Sequence, residues 1–219
     1  MPYAAKDRED FIKRSNINPG ERIFDFGGML SEELPGAVFG ITSKRPLQNA
    51  VLIRPYLLPF KNSVFKSVVS YHYFDLVPPE KLDYAFEETA KVLDMDGSFS
   101  FMILQWTSFN DAQRSNLLFN EVLKSTGVLY QHDIDKIGNN LNALGFKEIT
   151  VESIKREIPV PMEFFHEHML MLGNLVKLEK THGLAGIKAL AKQYFHQVKE
   201  HGEAMLPAIH FIARKCIPI

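Results

Sequence analysis

Between Arg22 and Leu104 the sequence alternates short apolar runs with a helical period. The runs "RIFDF", "AVFGI", "AVLI" and "SVVSYHYF" come first, then a helical pattern from Glu80 to Leu93, then "GSFSFMIL". Strand-like runs interleaved with helical periods predict a parallel sheet covered on both faces, because parallel strands need crossovers and the crossovers lie on the faces. The helix is the most constrained element. Its Leu82, Ala85, Phe86, Thr89, Val92 and Leu93 recur at spacings of three and four, so one apolar stripe rests on the sheet. The helix is expected to stop at "DMDG", with Gly97 taking the positive φ of the turn into the next strand.

Around this region the pattern predicts a short helix over Asp7–Ser15, with Phe11 and Ile12 inward, ending before the turn chemistry of "NINPGE". A further helix, "DIDKIGNNLNAL", ends at Gly145 and precedes the strand-like "FKEITVESI". From Pro159 to Pro207 the rhythm changes to two long helical stretches with no strand between them. This reads as a helical insertion over residues 159–206. The terminal "PAIHFIARKCIPI" is an apolar strand expected at or near a sheet edge, with Cys216 inside it. At 219 residues the chain is expected to form a single domain, 1–219, carrying that insertion.

Composition narrows the function classes. Hydrophobic residues at 46% and charged residues at 23% are those of a folding globular chain, not a disordered one. A net charge of -1 offers no field for a phosphate backbone, so nucleic acid is not expected as the main partner. One cysteine excludes an internal disulfide framework and a multi-cysteine zinc site. "MPYAAKDREDFIKRS" alternates charge where a signal peptide needs an apolar core, and no run approaches the ~18 apolar residues of a membrane span. A cytoplasmic protein is expected. His166 and His168 stand two apart on a predicted helix, about 200° around it, so they are not read as a shared metal site, and no metal is expected.

The ordered series "RIFDFGG", "LLPFKNSVFKSVVSYHYFDLV", "EETAKVLDMDGSFSFMIL", "LNALGFKEITV" and "HFIARK" resembles the class I S-adenosylmethionine-dependent methyltransferases, in particular the ubiquinone and menaquinone biosynthesis group. The resemblance covers most of the chain. It implies a Rossmann-like α/β fold: a mostly parallel seven-stranded sheet, complete or reduced, with helices on both faces and the helical insertion before the last strand. S-adenosylmethionine is the implied cofactor. The implied cofactor contacts are Asp25, Phe26, Gly27 and Gly28 at the end of the first strand, Thr42 and Ser43 after the second, Tyr56 and Leu57 before the fourth, and Ser70 and Tyr71 at its end. If the acceptor must lose a proton, His72, Tyr71 and Tyr73 are the candidates to take it.

The chain departs from the family in two places that bear on the ligand. Only Met29–Ala37 separate the glycine pair from "VFGI", whereas a crossover with its helix takes at least about ten to twelve residues. A single helical turn is expected there at most. Where the family places a ribose-binding acid after its second strand, this sequence has Ile41, Thr42 and Ser43, followed by Lys44 and Arg45.

Two functions follow. One is methyl transfer from S-adenosylmethionine to a small, apolar acceptor, with the insertion either a lid walled by Phe164, Phe165, Met169, Leu170, Leu172 and Leu175 or a homodimer interface. The other is a methyltransferase-like fold whose cofactor grip is weakened or lost, acting as a binding or partner subunit. A third use of the same pocket is an anionic ligand held by Lys44, Arg45 and Arg54.

Overall fold

The computed structural model describes residues 2–18, 20–42, 48–54, 57–182 and 186–216. Two compact units are present: a sheet unit of Ala5–Ile103, His132–Glu152 and Ile209–Ile219, and a helical unit of Met1–Ala4, Leu104–Gln131 and Ser153–Ala208.

The sheet unit is built on seven strands: β1 (Ile23–Phe26), β2 (Val38–Ile41), β3 (Ala50–Leu52), β4 (Phe65–Tyr71), β5 (Leu93–Leu104), β6 (Phe146–Ile154) and β7 (Ala208–Lys215). They lie in the order β3-β2-β1-β4-β5-β7-β6. The pairs β1–β2, β2–β3, β1–β4 and β4–β5 are parallel. Alternation along the strands sorts the side chains. Phe24 and Phe26, Val68, Phe99 and Phe101, and Ile209 and Phe211 share one core with Leu82, Ala85 and Phe86 of α2 (Pro79–Val92) and Ile137 and Leu141 of α4 (Ile134–Ala143). The opposite face receives α1 (Ala5–Arg14), whose buried Phe11 meets the rings of Tyr71 at 5.7 Å and His210 at 5.1 Å.

Most predicted elements stand where the patterns put them, and the differences have local causes. The positive φ expected at Gly97 is carried by Asp96, at 58°. β5 begins directly after α2, and Leu93 and Ser98 pair with Phe65 and Ser67, so residues 94–97 bulge opposite Lys66. Lys66 donates from Nζ to the Met95 carbonyl at 3.0 Å and holds the bulge. Gly97 is needed for space: a Cβ there would stand 2.8 Å from the Asp94 carbonyl and 3.1 Å from that of Lys66. β7, expected at or near an edge, is next to it: the strand lies between β5 and the edge strand β6. Its Ala208, Ile209, His210, Phe211 and Ala213 are buried, as an internal strand requires, whereas β6 at the edge buries only Phe146. Cys216 follows the end of β7 instead of lying within it.

Behind α1 sits a small polar cluster. Ser100 Oγ and His210 Nε2 are 2.8 Å apart, and Ser15 Oγ lies 2.6 Å from Ser100 Oγ. Burial, helped by the Arg14 charge, holds His210 down at about 4 against an ordinary 6.5. A depressed folded-state value means that neutral His210 stabilises fully above pH 6.5, and that this stability is lost as pH falls from 6.5 towards 4. The shift corresponds to an effect on the order of 3 kcal/mol. Urea midpoints measured from pH 8 to 4 should therefore fall more steeply for the parent than for His210→Gln; parallel curves would contradict the assignment.

The helical unit packs α3 (Asp111–Ser125) with α5 (Met162–His182) and α6 (Ile187–His201). α3 was not foreseen. Its buried face carries Gln113, Ser115, Asn116 and Asn120 beside Phe119, Val122 and Leu123, which hides the apolar period. Its start was legible, since Asn110 caps it by accepting from the Gln113 amide at 2.8 Å. Of the expected lid residues, Leu172 is fully buried in this unit's core, Phe165, Met169 and Leu175 pack partly against it, and Leu170 is exposed. No described helix is long and apolar enough to cross a membrane.

Candidate functional site

Strand order reverses between β1 and β4, the place where open α/β sheets form a crevice at the carboxyl ends of their strands. Phe26 pairs with Gly40 on one side and Ser70 on the other, so "DFGG" and "SYHYF" emerge side by side.

The turn after β1 is held from within. Asp25 is fully buried; its Oδ2 accepts from the Leu30 amide at 3.0 Å, and its Oδ1 has no hydrogen-bond partner among the described residues. Burial pushes its carboxyl up to about 8, the Leu30 hydrogen bond opposing and the nearby Glu33 charge adding to the rise. The neutral acid is therefore favoured at pH 7, and the residue serves the turn. The connection to β2 is a run of turns with no helix, closed by Leu34 N to Leu30 O at 2.7 Å and Ala37 N to Leu34 O at 3.0 Å. This agrees with the short spacing. From α1, the buried Arg8 pins the run through Glu33 at 2.5 Å and Glu32 at 3.3 Å, partners that sequence reasoning missed because they lie 24 and 25 residues away.

Gly27 is required twice over. Its φ is 88°, and a Cβ would stand 2.8 Å from Cδ2 of Tyr73. The Tyr73 ring stacks on Phe26 at 5.7 Å and is buried, its hydroxyl pushed up to about 12 by that burial. Gly28 also has a positive φ, of 65°. Ser70 is buried with its hydroxyl unpartnered among the described residues, and Tyr71 is buried with its hydroxyl donating to Asp7 at 2.5 Å.

His72 is the most distinctive residue here. Its φ is 59°, a conformation non-glycine residues adopt rarely and often at functional sites. Its Nδ1 lies 2.7 Å from Oδ2 of Asp75, whose side chain is almost wholly buried. Asp75 was not among the expected residues, although its i+3 spacing within "HYFD" was a usable signal. Thr42 and Leu57 lie apart from this pair, in an open depression of about 330 Å³ that they line with Leu52, Ile53, Arg54 and Pro59. Ser43 and Tyr56, like Lys44 and Arg45, fall outside the described residues.

The strand order and the helices on both faces together define the Rossmann-like fold of class I methyltransferases. No family model matches the chain, and no curated protein matches it in sequence. Among solved structures it is similar to a phosphoethanolamine N-methyltransferase from Haemonchus contortus in complex with phosphomonomethylethanolamine and S-adenosylhomocysteine. The TM-score is 0.57 at 15% identity, covering 97% of this chain and 53% of the other, so the chain spans about half the length of that enzyme. It is similar as well to an S-adenosylmethionine-dependent methyltransferase from Thermotoga maritima, with TM-score 0.61, 13% identity, and 98% and 90% of the two chains covered. A third similar structure is the cyclase SpnF, with TM-score 0.58, 15% identity, and 97% and 81% covered. At these identities the likeness is one of fold.

Proposed function

We propose that the chain binds S-adenosylmethionine along the carboxyl edge of the sheet unit and transfers its methyl group to a small acceptor with an apolar body. The observation that carries the reading is the meeting of the Asp25–Gly28 turn with the His72–Asp75 pair where strand order reverses. The fit to the cofactor rests on the depression at the ends of β2 and β3. Leu52, Ile53, Leu57 and Pro59 offer apolar walls suited to an adenine, and the Thr42 hydroxyl can hydrogen-bond a ribose. When bound, S-adenosylmethionine supplies an electrophilic methyl group on its sulfonium. The chain's part is to orient and to manage a proton: Asp75 accepts from His72 Nδ1, which leaves the lone pair on Nε2, the form of the ring that acts as a base.

A second reading, that the fold is kept while cofactor binding is weak or lost, is favoured by the turn region. Without a helix after β1, no helix N-terminus offers amides to the ligand. The Tyr73 ring covers Gly27, and Thr42 stands in place of a carboxylate. Each charged hydrogen bond lost costs about 1.5–3 kcal/mol, roughly one to two decades of affinity.

Calorimetric titration with S-adenosylmethionine and S-adenosylhomocysteine separates the two. Heat of binding is expected, and Thr42→Asp should tighten S-adenosylhomocysteine about tenfold or more by restoring an acceptor for both ribose hydroxyls. No heat and no thermal shift at millimolar ligand, in parent and variant alike, would leave the second reading standing.

A further inference from the structure

The helical unit contains a second carboxylate–imidazole pair, remote in sequence from the first. Glu203 is buried, and its carboxylate is surrounded by donors from three helices. Asn116 Nδ2 of α3 donates to Oε1 at 2.6 Å, the Tyr194 hydroxyl of α6 donates to Oε2 at 2.8 Å, and His168 Nδ1 of α5 lies 3.0 Å from Oε2. Asn120 steadies Asn116 by donating to its Oδ1 at 2.9 Å. The His168 ring lies flat on Phe119, with centroids 4.0 Å apart and planes 17° apart. Its orientation is therefore fixed by stacking and by the carboxylate. His168 Nε2 makes no hydrogen bond to a described residue, and the His168 side chain is 17% exposed to solvent. Burial and the Glu203 charge raise the Tyr194 hydroxyl well above the ordinary phenol range, and burial with the same charge pushes Tyr3 up to about 12. Neither phenol competes with the imidazole as a proton acceptor.

We propose that His168 is a proton-accepting site, with Glu203 as its positioning residue. Its ligand is a small molecule whose weakly acidic hydroxyl hydrogen-bonds to Nε2 and whose apolar body rests against the aromatic rings of this unit. Glu203 accepts from Nδ1–H and so keeps the lone pair on Nε2. On transfer the ligand O–H bond breaks, its electron pair stays on the oxygen, and the proton forms an Nε2–H bond. The imidazolium so formed is balanced by the Glu203 carboxylate. The site concerns the helical unit alone and holds whether or not the sheet unit binds S-adenosylmethionine.

Nitrogen-correlated NMR of the imidazoles at pH 9 should place the parent His168 proton on Nδ1. In Glu203→Gln, whose carboxamide can turn a donor towards the ring, the proton should move to Nε2. Diethyl pyrocarbonate should carbethoxylate His168 of the parent at Nε2, a measurement that needs no variant to fold. With phenol as the probe, the Nε2 resonance should move during titration, whereas anisole, which has no proton to give, should leave it in place. A His168 that carries its proton on Nε2, or that resists the reagent while the exposed His196 reacts, would overturn the site. An equal response to phenol and anisole would overturn the ligand class.

Discussion

Glu203→Ala is expected to lower the stability of the helical unit by about 3–5 kcal/mol, the range for removing one member of a buried, paired charge. The carboxylate ties α3, α5 and α6 together through Asn116, His168 and Tyr194. Alanine strands the Asn116 amide and the Tyr194 hydroxyl, each a buried donor worth about 1–3 kcal/mol when left unpaired, and it opens a cavity between the helices. Glu203→Gln keeps the volume and one acceptor, so it should cost less. Hydrogen exchange of α6 amides under increasing urea reads the loss directly. A decrease below about 1 kcal/mol for alanine would mean that water replaces the carboxylate freely, against its burial.

Phe101→Ala should cost the sheet unit about 3–5 kcal/mol, as truncation of a fully buried phenylalanine does. Phe101 stacks on Phe211 at 4.7 Å and 8°, meets Phe99 at 4.8 Å, and meets Phe74 and Phe86 at 5.4 Å. One ring thus joins β5 to β7, to the turn after β4 and to α2. Phe101→Leu retains much of the volume and should lose appreciably less. Equal losses for the two variants would show that the aromatic contacts themselves, and not the filled space, set the cost.

Local patterns made much of the fold legible. Alternating apolar runs located the strands, the three-and-four spacing located α2, and Gly145, with a φ of 85°, marks the end of the helix that "DIDKIGNNLNAL" predicts. These signals are readable because each arises within one turn or one strand. α3 escaped because its inward face spends Gln113, Asn116 and Asn120 on hydrogen bonds, two of them in the Glu203 and Arg156 networks. The bulge at residues 94–97 escaped because it exists only between two paired strands. At the candidate site the glycine pair and His72 could be named in advance. The packing of Tyr73 against Gly27 and the Arg8–Glu33 pair could not, because both are contacts made by folding.

The sequence alone determined the order of the strands, the shortness of the connection after β1 and the lack of an acid after β2, since these are facts of spacing and composition. Tertiary structure decided that β7 pairs between β5 and β6, that Asp25 turns inward as a buried acid, and that His168 and Glu203 meet across 35 residues. Chain periodicity says which face of an element is apolar; only packing says which polar group on that face finds a partner, and a buried group without one is too costly to leave to chance.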